Sequence, residues 1–483
     1  MLWKWGDDME DQFMLDWKQL LCEERIRTST QRNQEQKDEY ITRNEFEADY
    51  DRIVGSSSVR RLQDKAQVFP LQKNDFVRTR LTHSIEVSAI ARSLAKIVGI
   101  QLEKKNEFTR DQTEKLMGML QTAGLIHDLG NPPFGHYGET VIRNWYEEVV
   151  LTEKQKRDSH YEKNQEDTDF LYFDGNVQNL RIVTKLQMLN DQYGVNFTYG
   201  TLATIIKYPF NSLNSKHKKN KFGYFKSEEN FFQKIMEKTG LKEGVRHPAT
   251  FLLEAADDIV YICDDIEDGV KKGYIPWLSE YQKLKGKFSS DPKYGVIFNG
   301  LDNTSINKKM EEKEQIMAHV RFFRNAVQGY LIRSAAQCFM DDYRQIMNGE
   351  YELNDLLGRD KDLVEELKKI TNNYCFVCDE VLTLEIIGNR VIRELLDIFY
   401  KAIITSNHKI IENPSKYEGK IYRMISDNYK YIAKFDYKTN ECRNLKDISE
   451  YDKIHLIVDF VSGMTDSYAV LLYKKLLGID LPE

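Results

Sequence analysis

The run Lys115-Leu-Met-Gly-Met-Leu-Gln-Thr-Ala-Gly-Leu-Ile-His127-Asp128-Leu129, followed by Gly130-Asn-Pro-Pro133, decides the fold class. Lys115 to Leu129 is apolar nearly all round, which predicts a central, buried helix. Gly130 permits a left-handed turn and the two prolines cannot continue a helix, so the helix stops there. Outward from this point, Arg80 to Val98 carries Val87, Ile90, Leu94, Ile97 and Val98 on one face, with Gly99 placed as a C-terminal cap. Thr250 to Val270 predicts another long helix that ends near Gly269. Nine prolines in 483 residues and few alternating runs complete the case for an all-α protein. The simplest organisation is one large helical domain over 1–483, with a core over about 50–300 and a helical C-terminal lobe over about 300–483.

The bulk numbers narrow the function classes. A formal charge of −7 and a pI of about 5.9 exclude a surface that is basic throughout, as a general nucleic-acid binder would show. Met1 to Glu10 carries acids where a signal peptide would carry bases, and no uncharged stretch approaches the roughly 20 apolar residues of a membrane span. A soluble, cytoplasmic protein without a membrane partner is expected. Six cysteines are too sparse for a disulfide framework, and Cys375-Phe-Val-Cys378 lacks the second pair that a zinc site wants. It reads as structural. Glu153 to Asp169 and the basic run Asn211 to Lys221, which includes His217, read as solvated excursions.

The chemistry-bearing residues interrupt the apolar helices. His83 lies four residues before Val87 and continues its stripe. His127 and Asp128 end the most hydrophobic helix. Glu254-Ala-Ala-Asp257-Asp258 lies inside the helix that begins near Phe251. Imidazoles and carboxylates in such places need partners, and one divalent cation satisfies all of them together. Mixed N/O ligation suits Mn²⁺, Fe²⁺, Mg²⁺ or Zn²⁺ and can leave positions open for water and a phosphate oxygen. An isolated His83 would read as a hydrogen-bonded core residue; together with His127 and the acids it reads as a ligand.

These residues resemble a known family. Leu81-Thr-His83-Ser, Leu125-Ile-His127-Asp128-Leu-Gly-Asn-Pro-Pro-Phe-Gly-His136-Tyr-Gly-Glu139 and Glu254-Ala-Ala-Asp257-Asp258-Ile-Val-Tyr261 are similar to the HD-domain deoxyguanosinetriphosphate triphosphohydrolases. Arg60 to Pro70, Arg78-Thr-Arg80, Phe173-Asp-Gly-Asn176-Val-Gln178, Lys207-Tyr208-Pro and Asp459 to Ala469 follow that family's blocks in the same order. The resemblance runs from about residue 50 to about 477. It departs at Ala66, where threonine or serine is usual, and at Asp174, where glutamate is usual; Ile205 and Ile206 have no distinctive character.

The resemblance implies an HD core and hydrolysis of a dNTP, dGTP foremost, to deoxynucleoside and tripolyphosphate. It implies His83, His127, Asp128 and Asp257 as metal ligands, with Mn or Mg as the first expectation and Fe, Ni or Zn as alternatives. Asp257, not Asp258, sets the spacing to Tyr261. His136 and Glu139 would form a catalytic pair, the carboxylate favouring an imidazolium that protonates the 5′-oxygen. Tyr261 would pack on deoxyribose, with Asp265 and Gln67 at its 3′-hydroxyl. Arg80, Lys207, Tyr208, Lys221, Asn176 and Arg390 match phosphate- or base-contacting positions. A homo-oligomer, a hexamer among the options, and single-stranded DNA or nucleotide effectors are further expectations. The alternatives are another HD-type nucleotide phosphodiesterase or nucleotidase, and a nucleotide-binding regulator without turnover.

Overall fold

The computed structural model describes residues 14–27, 43–69, 77–189, 191–217, 220–302, 311–351 and 355–479. Met1 to Glu10, Pro70, Lys218 and Lys219, which entered the sequence reading, lie outside them. The helices that frame the site are α1 (Glu45–Val54), α2 (Arg80–Lys104), α3 (Arg110–Ile126), α4 (Gly135–Trp145), α5 (Pro248–Lys271), α6 (Glu312–Asp341), α7 (Lys361–Tyr374), α8 (Asp379–Ile403), α9 (Glu450–Ser462) and α10 (Asp466–Leu476). Among the described residues the extended structure is one two-residue ladder, Phe435–Asp436 with Glu441–Cys442, and two isolated bridges. The protein is all-α.

Local chemistry fixes where the site-bearing helices begin. Thr79 caps α2 and Thr82 returns the bond, while Thr109 and Gln112 do the same for α3, each satisfying orphan N–H groups of the first turn. In α5, Pro248 occupies the first turn, where its missing N–H costs nothing, and the side chain of His247 accepts the Ala249 N–H. Helices α2 and α3 pack along one another, α5 lies against both, and α1 covers α3. Helix α6 closes over α5 and α2, and α8 packs on α4, α9 and α10. One continuous cluster of buried side chains runs from Leu15 to Leu472. Among the described residues no single helix is long and apolar enough to cross a membrane; only the bent pair α9–α10 reaches that composition jointly, and Ile454 to Ser462 of α9 is buried in protein.

The structure corrects three local expectations. Helix α2 does not cap at Gly99 but continues to Lys104. Gly99 serves packing instead: a Cβ there would lie 2.6 Å from the Thr113 side chain of α3. The stretch Glu153 to Asp169 is not a solvated excursion throughout. Its C-terminal part is helical over Gln165–Leu171, and Asp167 and Asp169 are fully buried. Tyr146, Tyr161 and Lys154 bind Asp167, while Ser212 and Tyr451 bind Asp169. Burial pushes the Asp169 carboxyl up to about 7 despite those donors. In the basic run, Ser212–His217 forms a 3₁₀ turn, and Lys221 at its end pairs with buried Asp174.

Candidate metal centre and active site

Three helices deliver the central groups. His83 sits one turn into α2 and is 1% exposed. His127 follows the last residue of α3, and its backbone stays helical (φ −55°, ψ −30°). Asp257 lies mid-way along α5. One ligand atom from each lies within 4.8 Å of the others. His83 Nε2 is 3.1 Å and His127 Nε2 3.4 Å from Asp257 Oδ1.

The protonation pattern is set by the neighbours. His127 Nδ1 donates to the Gly124 carbonyl at 2.7 Å, which turns Nε2 toward the cluster, the usual arrangement of a ligating imidazole. His127 Nε2 and His83 Nδ1 are buried without a hydrogen-bond partner among the described residues. Burial would drive the His127 imidazole down, but Asp128 and Asp257 outweigh it and lift it to about 9. Asp257 resists its own burial because His127 and His83 hold it well below the usual carboxylate range. A pocket that grips a proton this firmly carries surplus negative charge, and a divalent cation relieves that surplus. The donor set therefore fits a metal ion.

Asp128 stands beside this triad. Its Oδ1 is 3.6 Å from His127 Nε2 and accepts from Asn131 Nδ2 at 2.8 Å, while Oδ2 is held by Arg80 Nη1 at 2.5 Å. Against the cost of burial, Arg80 and His127 keep its carboxyl well below the ordinary range. Asp258, the neighbour of Asp257, faces Lys368 at 3.3 Å.

The turn from α3 to α4 presents His136. Phe134 and Gly135 both take positive φ, 61° each, a conformation a bulky residue such as Phe134 avoids unless it is held there. Asp466 of α10 holds it, accepting the Phe134 N–H at 2.9 Å through Oδ1 and the Ala66 N–H at 3.0 Å through Oδ2. Gly135 is required twice over, since a Cβ would also come within 2.9 Å of Arg80 Nη2. The His136 side chain is 81% solvent-accessible. Its Nδ1 lies 3.5 Å from Glu139 Oε2. The hydrogen bond to Glu139 raises the imidazole above its ordinary value, against partial desolvation. Glu139 itself is 4% exposed and is fixed by Arg143 at 3.0 Å and by the Gly175 N–H at 2.8 Å.

The remaining expected residues are distributed unevenly. Tyr261 and Asp265 follow Asp257 at four and eight residues on α5, and the Tyr261 ring lies parallel to Phe376 with centroids 6.5 Å apart. Asp265 is 2% exposed, its Oδ2 lacks a partner among the described residues, and burial pushes its carboxyl well up. Gln67 Oε1 is likewise buried without a partner; the Ala66–Thr79 bridge fixes its segment at the start of α2. Lys207 pairs with Glu254 at 2.9 Å, and half-buried Tyr208 follows it. Lys221 and Asn176 both bind Asp174. Arg390 lies on α8, where its guanidinium is 70% exposed and pairs with Glu394 at 2.9 Å. The sequence reading assigned no role to Arg143, Asn131 or Asp466. Only Arg143 had a local signal, four residues after Glu139 on one helix face.

The HD-domain family model matches residues 80–165, a span that includes His83, His127, Asp128, His136 and Glu139 but not Asp257. The chain is 40% identical to a deoxyguanosinetriphosphate triphosphohydrolase-like protein of Listeria monocytogenes over 96% of this chain and 100% of that one. A protein of the same description from Synechocystis is 33% identical over 97% and 100%. The deoxyguanosinetriphosphate triphosphohydrolase of Salmonella paratyphi A is 30% identical over 90% and 94%. Full-length likeness at these levels, on a helical HD fold, means that the chain belongs to the HD-domain deoxyguanosinetriphosphate triphosphohydrolase-like family.

Proposed function

We propose that the protein hydrolyses deoxynucleoside triphosphates, dGTP foremost, to deoxynucleoside and inorganic tripolyphosphate. The observation that carries this reading is the His83–His127–Asp257 cluster with its partnerless His127 Nε2, set beside the His136–Glu139 pair. His83, His127 and Asp257 would hold a divalent ion, with Asp128 joining them from its place against Arg80. When bound, the ion supplies Lewis-acid polarisation of the phosphate oxygens.

The chain's own groups do the rest. Water adds at the α-phosphorus, the P–O5′ bond breaks, and the 5′-oxygen leaves as a hydroxyl if a proton meets it. His136 is the donor in this reading: Glu139 favours its imidazolium, and its exposure gives substrate access. Arg80, Lys207 and Lys221 oppose the triphosphate charge in an otherwise acidic protein, with Tyr208 and Asn176 beside them. Tyr261 flanks the sugar. Asp265, whose carboxyl burial pushes up, and the Gln67 carbonyl, buried without a partner among the described residues, flank the 3′-hydroxyl. Arg390, paired with Glu394 on α8, is a further group for contact with phosphate or base.

Incubation of Mn²⁺- or Mg²⁺-loaded protein with each dNTP and rNTP, with products resolved by chromatography, tests the proposal. Deoxyguanosine with tripolyphosphate is the expected result. Pyrophosphate or orthophosphate would assign a different HD-type hydrolysis, and tight binding without product a regulator.

A further inference from the structure

A cavity of about 50 Å³ borders the segment that follows Asp128. It is walled by Leu129, the residue after Asp128, by Ser58, Arg61, Lys65 and Gln187, and by Tyr429 from the C-terminal half. At ~10–15 Å³ per water it holds about three to five waters, room for one tetrahedral oxyanion and too small for a nucleoside. Its charge is one-sided: two cations line it and no Asp or Glu does, among the described residues. The Arg61 guanidinium donates to Tyr429 Oη at 3.1 Å and pairs with no described carboxylate. Lys65 is 3% exposed. Two of its three ammonium protons go to the carbonyls of Asn131 and Ser462, which leaves one. The acid nearest in charge, Asp466, is spent on the N–H groups of Phe134 and Ala66. Burial accordingly pushes Lys65 down to about 7, with Asp466 opposing. Gln187 Oε1 gathers Ser57 Oγ and both the N–H and Oγ of Ser58, and no described residue uses its amide N–H pair.

We propose that this cavity binds a single inorganic tetrahedral oxyanion of the phosphate class, held by Arg61, the third Lys65 proton and the Gln187 amide. Lys65 touches the Asn131 carbonyl, and the Asn131 side chain donates to Asp128. Occupancy is thereby coupled to the position of Asp128; this coupling, unlike the binding, rests on the function proposed above.

The test is calorimetric titration of inorganic phosphate into chelator-treated Lys207→Ala protein, in which active-site anion binding is weakened. Saturable binding of one phosphate is expected, with Arg61→Gln in the same background weakening it about tenfold or more. Gln187→Glu keeps acceptors for Ser57 and Ser58 but adds a carboxylate, and should abolish it. Binding left unchanged by both substitutions, or no binding in the Lys207→Ala protein, overturns the proposal. A tripolyphosphate arm separates a free ion from the end of a longer chain: the cavity accepts orthophosphate in preference. Absence of dNTP hydrolysis by the metal-loaded wild type, with phosphate binding intact, would break the function proposal and leave this site standing.

Discussion

Two of the charged clusters inside the apolar body of this protein are built on opposite plans. Around Arg181, four ionised side chains close on one another. Arg181 reaches both oxygens of Asp459 at 2.9 and 2.7 Å and Glu228 at 2.8 Å, and Lys185 meets Glu228 at 2.6 Å. Two positive and two negative charges cancel within groups no more than 4% exposed. At the HD centre, Arg80 is the permanent cation paired with Asp128, Asp257 faces the two imidazoles, and among the described residues His127 Nε2 and His83 Nδ1 have no hydrogen-bond partner. A buried network that balances its own charge holds the fold; one that leaves acids in excess invites a cation from outside.

The sharpest way to break this contrast is His127→Ala. Metal affinity and turnover should vanish together in calorimetry and product assays, and Mn²⁺ should no longer raise the Tm as it does for the wild type, where a hundredfold excess over Kd is worth about 2.7 kcal/mol. Retained metal binding would place the ion elsewhere. Arg181→Met comes next. It strands Asp459 and Glu228 in the interior and should cost about 3–5 kcal/mol in urea unfolding, with metal affinity of the folded fraction unchanged.

His136→Ala is expected to lower kcat by roughly 10²-fold or more while sparing metal affinity; wild-type turnover would remove it from the mechanism. Smaller and more diagnostic is Glu139→Gln. The carboxylate raises His136, so an acid that must be protonated stays so to higher pH, and activity falls as pH climbs through that raised value. Without the charge the alkaline limb of the kcat profile should move to lower pH. An unmoved limb would mean that His136 is not the titrating acid.

How much of this was legible follows from where each signal lies along the chain. His83, His127 and Asp257 betray themselves because each interrupts an apolar helical face, a local, periodic feature. Their convergence is then forced by the packing of α2, α3 and α5. The grip of Asp466 on Phe134 spans 332 residues and leaves no periodic trace, so sequence shows Asp466 only as part of a family block. The polar stretch ending at Asp169 misled for a related reason: its partners Ser212 and Tyr451 come from distant segments, and local polarity alone reads as solvation. Gly99 misled because a glycine that admits a neighbouring helix looks, in one dimension, like one that ends its own.

The double hold of Asp466 has a consequence for biosynthesis. The strand of backbone that carries Gln67 and the bend that aims His136 are both tethered to a carboxylate translated more than three hundred residues after the HD pair. A nascent chain can therefore bury α2, α3 and α5 long before its catalytic bend is locked. Competence should arrive late and abruptly, with the emergence of α10 from the ribosome.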